Sequence, residues 1–352
     1  MSNLGVRSRS FARWAGLSML VPAVVLSALW YLSPAAWLSQ DEQALWRKVR
    51  EGQGALALWR DESRIANAHP EHDFSMTDPH RTGLIGVEWS PITTTLGPLE
   101  AKRTAADPLW SVWALRHFRL LGLKKGDRVA LLSSSSFPGL VFSLVAAAEH
   151  ARLELLWIHS LGASTWGANM PEMLWPRIAY LLRRGGFMSA RPDFYTLGGG
   201  GEIGLGLPHE GVKALEESAE EDGVSLLRGG GLEEMVERKR ELTLSFAPRL
   251  VISVGGSHTA FGGEVIPPGG GLYLPDESGR VKFGSGVLRD VLASGVPVLH
   301  LLDLRSLASR AGIPYDGTPR PRFTDAGRAA SVAGLLFYAL CLIRFKRWRR
   351  DE

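Results

Sequence analysis

Arg128-Val129-Ala130-Leu131-Leu132-Ser133-Ser134-Ser135-Ser136-Phe137-Pro138-Gly139 is the stretch whose reading decides the fold. A short apolar run bounded by turn formers reads as a buried strand. Pro138 suits the first turn of a helix, where a missing N–H is no loss, and Pro138 to His150 reads as that helix. Upstream, Asp107 can cap a helix that places Pro108 in its first turn and carries Trp110, Trp113, Ala114, Phe118 and Leu121 on one side. Lys124-Lys125-Gly126-Asp127 then turns the chain into the strand. Downstream, Leu153 to Ile158 is the next strand, followed by helices over Pro171 to Arg184, Glu210 to Glu221 and Leu232 to Leu244. Arg249 to Val254 is a third strand, Gly286 to Ala293 a helix, and Val296 to Leu302 a fourth strand. Continuously apolar strands alternating with helices predict an α/β domain with a Rossmann-like parallel sheet covered on both faces.

The 352 residues leave room for one such domain and its attachments, since single cores stop growing near about 250–300 residues. The net charge of +4 comes from clusters at the two ends: Arg7, Arg9 and Arg13, then Arg344, Lys346, Arg347, Arg349 and Arg350. These flank apolar runs, so no nucleic-acid partner is implied. Trp14 to Leu38 is uncharged and long enough to cross a bilayer, with Trp30, Tyr31 and Trp37 toward its far end. A cleaved signal peptide is the alternative. Ala329 to Ile343 is a shorter uncharged run that crosses only if the flanking Arg344 and Lys346 snorkel. The expected organisation is a cytoplasmic basic N-terminus over 1–13, a transmembrane helix over 14–38 and a membrane-proximal stalk helix with linker over 39–84. An extracytoplasmic α/β domain over 85–322 follows, then a second transmembrane helix over 329–345 and a basic cytoplasmic tail over 346–352. The lone cysteine, Cys341, excludes an intrachain disulfide and a cysteine-based metal site.

In parallel sheets ligands bind beyond the carboxyl ends of the strands, and here four strand ends carry small polar residues. They are Ser133-Ser134-Ser135-Ser136, His159-Ser160-Leu161-Gly162-Ala163-Ser164, Gly255-Gly256-Ser257-His258-Thr259, and Asp303. The serine run precedes a helix N-terminus, which favours an anion. A nucleophile reading takes Ser136 or Ser134 with His258 as base and Asp303 as acid, although no G-x-S-x-G elbow is present and the chain order is not that of α/β-hydrolases. Tight-turn packing explains the same serines without chemistry.

Other motifs are weaker. Gly199-Gly200-Gly201-Glu202-Ile203-Gly204 matches G-x-G-x-x-G by letter, but Glu202 would repel a pyrophosphate and Pro208 intervenes before the next helix, so a mobile rim loop and no nucleotide cofactor are expected. His69, His72, Asp73, Asp78 and His80 have metal-ligand chemistry without a metal-site spacing, and a solvated linker is expected. Thr93, Thr94 and Thr95, followed by Lys102 and Arg103, form a hydroxyl and cation set suited to carboxylates, or a strand edge beside a solvated helix start.

The chain resembles the poly-gamma-glutamate system protein family. The resemblance rests on Ile92-Thr93-Thr94-Thr95-Leu96-Gly97 with Leu99-Glu100-Ala101-Lys102-Arg103-Thr104, on Ser135-Ser136-Phe137-Pro138, on Ser160-Leu161-Gly162-Ala163-Ser164 with Gly167-Ala168-Asn169, and on Gly255-Gly256. It spans roughly Ile85 to Pro314. It implies a bacterial cell-membrane accessory that works beside the poly-γ-glutamate synthase complex in making or exporting the polymer, with no catalytic residues to carry over. The combined expectation is a ligand site built from Thr93, Thr94, Thr95, Lys102, Arg103, Ser135, Ser160, Ser164, Asn169, Gly255, Gly256 and Ser257. Three functions compete: a noncatalytic component gripping the anionic polymer, a serine hydrolase or transpeptidase acting on it, and a scaffold for the synthase.

Overall fold

The computed structural model describes residues 21–29, 37–63, 65–263, 269–275, 283–323 and 326–348. In chain order the helices are α1 (21–29), α2 (Gln40–Glu62), α3 (Ile65–Ala68), α4 (Phe74–Thr77), α5 (Leu99–Ala105), α6 (Leu109–Leu120) and α7 (Pro138–His150). They continue with α8 (Trp175–Arg184), α9 (His209–Asp222), α10 (Leu232–Ser245), α11 (His258–Phe261), α12 (Val287–Ala293), α13 (Leu304–Ala311) and α14 (Ala326–Trp348). The strands are β1 (Arg128–Ser134), β2 (Glu154–Ser160), β3 (Phe194–Thr196), β4 (Ser225–Leu226), β5 (Leu250–Val254), β6 (Gly271–Tyr273) and β7 (Val298–Leu301).

These strands form one sheet in the order β4-β3-β2-β1-β5-β7-β6, parallel throughout except for β6 against β7. Successive side chains of a strand point to opposite faces, so each strand contributes to two layers. Ala130, Leu132, Leu156, Ile158 and Val251 pack on Val287, Leu288, Val291 and Leu292 of α12 and on Ala260 and Phe261 of α11. On the other face Trp157 and His159 meet Trp175 of α8, with ring centroids 5.8 and 5.0 Å away. The α/β class expected from the sequence, with a Rossmann-like parallel sheet, therefore describes the molecule, except that β6 runs antiparallel at one edge.

The expected stalk is part of this body. Ser39 caps α2 in a capping box: its hydroxyl accepts from Glu42 N–H at 3.2 Å and Glu42 accepts from Ser39 N–H at 2.9 Å. Leu45, Val49 and Leu56 follow at helical spacing and are at most 1 % exposed, and α2 packs on α6, α7 and α8. A Cβ on Gly52 would stand 2.7 Å from the Phe142 ring, so the missing side chain lets α7 come close. The main unit is Ser39–Pro321, and the boundary expected at residue 85 moves back by an entire helix. The linker is also packed: Asp78 accepts from Arg60 and from the N–H groups of Thr82 and Gly83, and Leu84 and Ile85 are buried.

A second unit is drawn from residues 21–38 and 322–348. Within it Gly334 of α14 lies against Leu26 of α1, and Trp37 pairs with Arg322. Val24, Leu29, Leu336, Phe337 and Leu340 are exposed. Among the described residues no helix is long and apolar enough to cross a membrane. Most of the expected 14–38 crossing lies outside those residues. In α14 the uncharged stretch from Ala329 to Ile343 reaches about 22 Å at 1.5 Å per residue, short of the roughly 30 Å hydrocarbon core.

If α2 belongs to the core, Leu56→Ala removes buried packing and lowers unfolding stability by about 2–5 kcal/mol. Urea denaturation followed by circular dichroism checks this; a change under about 0.5 kcal/mol is what an exposed stalk would give.

Candidate functional site

β1 is hydrogen bonded to β2 on one side and to β5 on the other, with Ser134 level with Ser160 and Leu132 level with Ser253. The chain winds outward from β1 in both directions, so its following loop and that of β5 diverge and leave a crevice between them. That crevice holds two adjoining cavities. The first, about 200 Å³, is lined by Thr94, Thr95, Ser134, Ser136, Ser160, Gly162, Gly198 to Gly200, Glu202, Gly256, Ser257 and His258. The second, about 500 Å³, is lined by Thr95, Gly97, Lys102, Ser136, Phe137, Ser164, Gly255, Gly256, Asp303, Arg305 and Tyr315, among others. Thr95, Ser136 and Gly256 belong to both walls.

Strand alternation splits the serine run. Ser134 and Ser136 face the cavities, while Ser133 and Ser135 turn inward to His159. Their hydroxyls lie 2.8 Å from its Nδ1 and 2.9 Å from its Nε2, and Trp157 Nε1–H donates to Ser133 at 2.8 Å. His159 is fully buried, and that burial holds its pKa well below the usual histidine value, so it stays neutral. Ser135 is thus a clamp under the site, not a ligand contact.

Two other expected ligands are also structural. Asn169 is fully buried; its Nδ2 donates to Val87 C=O at 2.8 Å and to Thr93 Oγ1 at 3.0 Å, and its Oδ1 accepts from Val87 N–H at 3.0 Å. Thr93 is consumed in that strap, which lays residues 87–97 along 163–169 and so brings Thr94 and Thr95 to the crevice. Arg103 leaves the site altogether. Its guanidinium forms a two-point pair with Asp316, at 2.6 and 3.0 Å, and ties α5 to the loop after α13.

The glycine-rich loop lies on the rim of the first cavity and is tied by its own hydrogen bonds. Gly200 N–H donates to Leu205 C=O at 2.9 Å and Gly204 N–H to Gly198 C=O at 2.8 Å. Glu202, with φ +62°, is folded inward. Its carboxylate accepts from Thr196 Oγ1 at 2.6 Å, from Lys239 of α10, and from the hydroxyls of Ser257 and Thr259. Burial alone would raise its pKa, but the Lys239 charge and these donors draw it down to about 2. Glu202 and Lys239 thereby cancel in charge beneath the first cavity, and Ser257 is oriented by that pair. Neither Glu202 nor Lys239 figured among the sequence-derived site residues, because the pairing joins positions 37 residues apart with no local signal.

Lys102 has no such partner. It is 2 % exposed, and among the described residues no carboxylate pairs with it. Its Nζ donates to Ser136 C=O at 2.6 Å, lies 2.5 Å from Ser164 Oγ and sits 3.9 Å from the Phe137 ring centroid. Desolvation alone lowers its pKa to about 7.

The proposed catalytic set is partly gathered. Ser134, Ser136 and His258 line the first cavity, yet among the described residues no hydrogen bond joins His258 to either serine. Asp303 faces the second cavity and caps α13, accepting from Ser306 N–H at 3.4 Å. Gly255, at φ +89°, turns the chain off β5 toward the crevice, a backbone geometry that glycine adopts without strain. Of the histidine and acidic residues at 69–80, His69 pairs with Glu172, His72 bonds Thr77, Asp73 caps α4 and Asp78 holds Arg60. Among the described residues no group of three or more such side chains stands ready for a metal ion.

Free lysine binds its proton up to 10.5 and Lys102 in the fold only to about 7, so the unfolded chain holds more protons between those values and wild-type stability rises with pH across that window. The penalty is complete below about pH 7. Lys102→Met should therefore raise the thermal midpoint over wild type by more at about pH 6 than at about pH 10, as read by calorimetry.

No family model and no curated protein matches the chain. Among solved structures, an open conformation of 2-hydroxyisobutyryl-CoA ligase with 2-HIB-AMP and CoA aligns at 17% identity and a TM-score of 0.17, covering 48% of this chain and 28% of the ligase. At that score the likeness carries no argument about the fold or the chemistry of this chain.

Proposed function

We propose that this protein is a membrane-associated accessory of bacterial poly-γ-glutamate synthesis or export that binds the anionic polymer across the carboxyl ends of β1, β2 and β5. The observation that carries the reading is the gathering of Thr94, Thr95, Ser134, Ser136, Ser160 and Ser257 around one cavity, with Lys102 in the wall of the next. Hydroxyls donate to carboxylates, and a lysine at the second cavity supplies the charge that a repeating acidic chain would meet. The resemblance around Ile92–Thr104 supplies the polymer and the synthase partner. Apolar side chains exposed on α1 and α14, with the terminal arginine clusters, favour attachment to the cell membrane with Ser39–Pro321 on its outer side.

A carboxylate beside Lys102 stabilises its protonated form, so affinity for the polymer should fall as pH rises through about 7. Equilibrium sedimentation of the full-length protein in detergent with poly-γ-glutamate should show binding at low ionic strength and none near about 1 M salt, where screening acts within about 3 Å. Lys102→Met should weaken it roughly tenfold or more, the loss of one charge-assisted contact. Absence of binding at low salt would remove the proposal.

A further inference from the structure

Among the described residues two lysines of the main unit are almost fully buried, and their surroundings differ in kind. Lys239 is matched by Glu202, as buried charges ordinarily are. Lys102 is matched only by a carbonyl, a hydroxyl and an aromatic face. With its pKa lowered to about 7, a share of this amine is neutral near neutral pH, and a neutral amine is a base. The atom placed to use it is Ser164 Oγ, at 2.5 Å.

Ser164 is itself held firmly. Its N–H donates to Ser136 Oγ at 3.0 Å, its carbonyl accepts from Gly167 N–H at 3.0 Å, and its side chain opens on the second cavity. Gly97 lies over the pair: a Cβ there would stand 3.3 to 3.5 Å from Lys102 Cε, Lys102 Nζ and Ser164 Oγ, so its lack of a side chain leaves that approach clear. Ser134 and Ser136, by contrast, have no base within hydrogen-bond reach among the described residues. Arg305 lines the same cavity, stacked on Tyr315 at 4.1 Å, and among the described residues it forms no ion pair.

We infer that Ser164 is a nucleophile and Lys102 its general base, and that the pair cleaves or transfers an amide-linked chain whose free carboxylate is received by Arg305. Ser164 Oγ forms a bond to the amide carbonyl carbon as its proton passes to Lys102 Nζ. The C–N bond then breaks, and Nζ returns the proton to the departing amine, leaving an ester on Ser164. Water, or the amine of a second chain, attacks that ester and gives its proton to Nζ. The C–O bond breaks, Ser164 Oγ takes the proton back, and the carboxylate or the new amide leaves. The identity of the chain as poly-γ-glutamate rests on the function proposed above; the nucleophile and base do not.

The test is reaction of the full-length protein with a fluorophosphonate in the absence of polymer, with the adduct mapped by peptide mass spectrometry. A single adduct on Ser164 is expected, formed at a rate that climbs with pH to half its maximum near about 7, where Lys102 loses its proton. Lys102→Met should slow labelling by about 10²–10⁴-fold. No adduct, an adduct on Ser134, Ser136 or another residue, or equal labelling of Lys102→Met would overturn the inference. Should that variant not fold, the wild-type pH profile decides alone, and a rate flat across pH 6 to 8 (about one unit either side of 7) counts against it. Labelling of Ser164 without polymer binding would keep the nucleophile and discard the polymer; binding without labelling would do the reverse. With both present, shortening or coupling of poly-γ-glutamate in size-exclusion chromatography should follow and be lost in Ser164→Ala.

Discussion

Parallel pairing of β1 with a neighbour on each side is the constraint on which the rest depends. Because β2, β3 and β4 extend the sheet one way and β5, β7 and β6 the other, the loops leaving β1 and β5 part company at the sheet's carboxyl edge. No side chain has to create the crevice; the strand order does. What the sequence supplies locally is small: hydroxyls and glycines that fit the narrow space, and a strand long enough to bring Ser134 level with Ser160.

The edge is kept rigid by polar groups that are themselves satisfied. Ser133, itself accepting from Trp157, and Ser135 saturate His159; Thr196, Ser257, Thr259 and Lys239 saturate Glu202; Val87 and Thr93 saturate Asn169. Each network is deeply buried and joins segments distant in sequence, so each fixes a loop that would otherwise be free to move. Lys102 differs from these groups: it is a buried amine in the wall of the second cavity with no counter-charge among the described residues. The fold neutralises Lys239 with Glu202 and leaves Lys102 unmatched at a cavity wall.

Much of this was legible in the chain. β1, β2, β5 and β7 announce themselves as mainly apolar runs, and the helix over Pro138–His150 begins and ends where its proline and histidine suggest. β3, β4 and β6 are two or three residues long, too short for any periodicity to show. The helix Gln40–Glu62 was readable as a helix, but not its partners: the stripe of Leu45, Val49 and Leu56 looks the same on a stalk as in a core. The four serines invited a single role, whereas period-two alternation gives Ser133 and Ser135 to the interior and Ser134 and Ser136 to the crevice. Arg103 looked like a carboxylate ligand and is one, for Asp316 in its own chain, a pairing across 213 positions that no local pattern encodes. The same non-locality hid Glu202 with Lys239 and gave Ser164 its neighbour Lys102.

Hydrogen exchange with and without an oligomer of γ-linked glutamate reads out where an acidic chain comes to rest. Binding at the crevice slows amide exchange at the carboxyl ends of three parallel strands, residues 133–137, 160–165 and 255–258, and leaves the opposite edge of the sheet unchanged. Protection elsewhere on the surface while those segments exchange as before would contradict it.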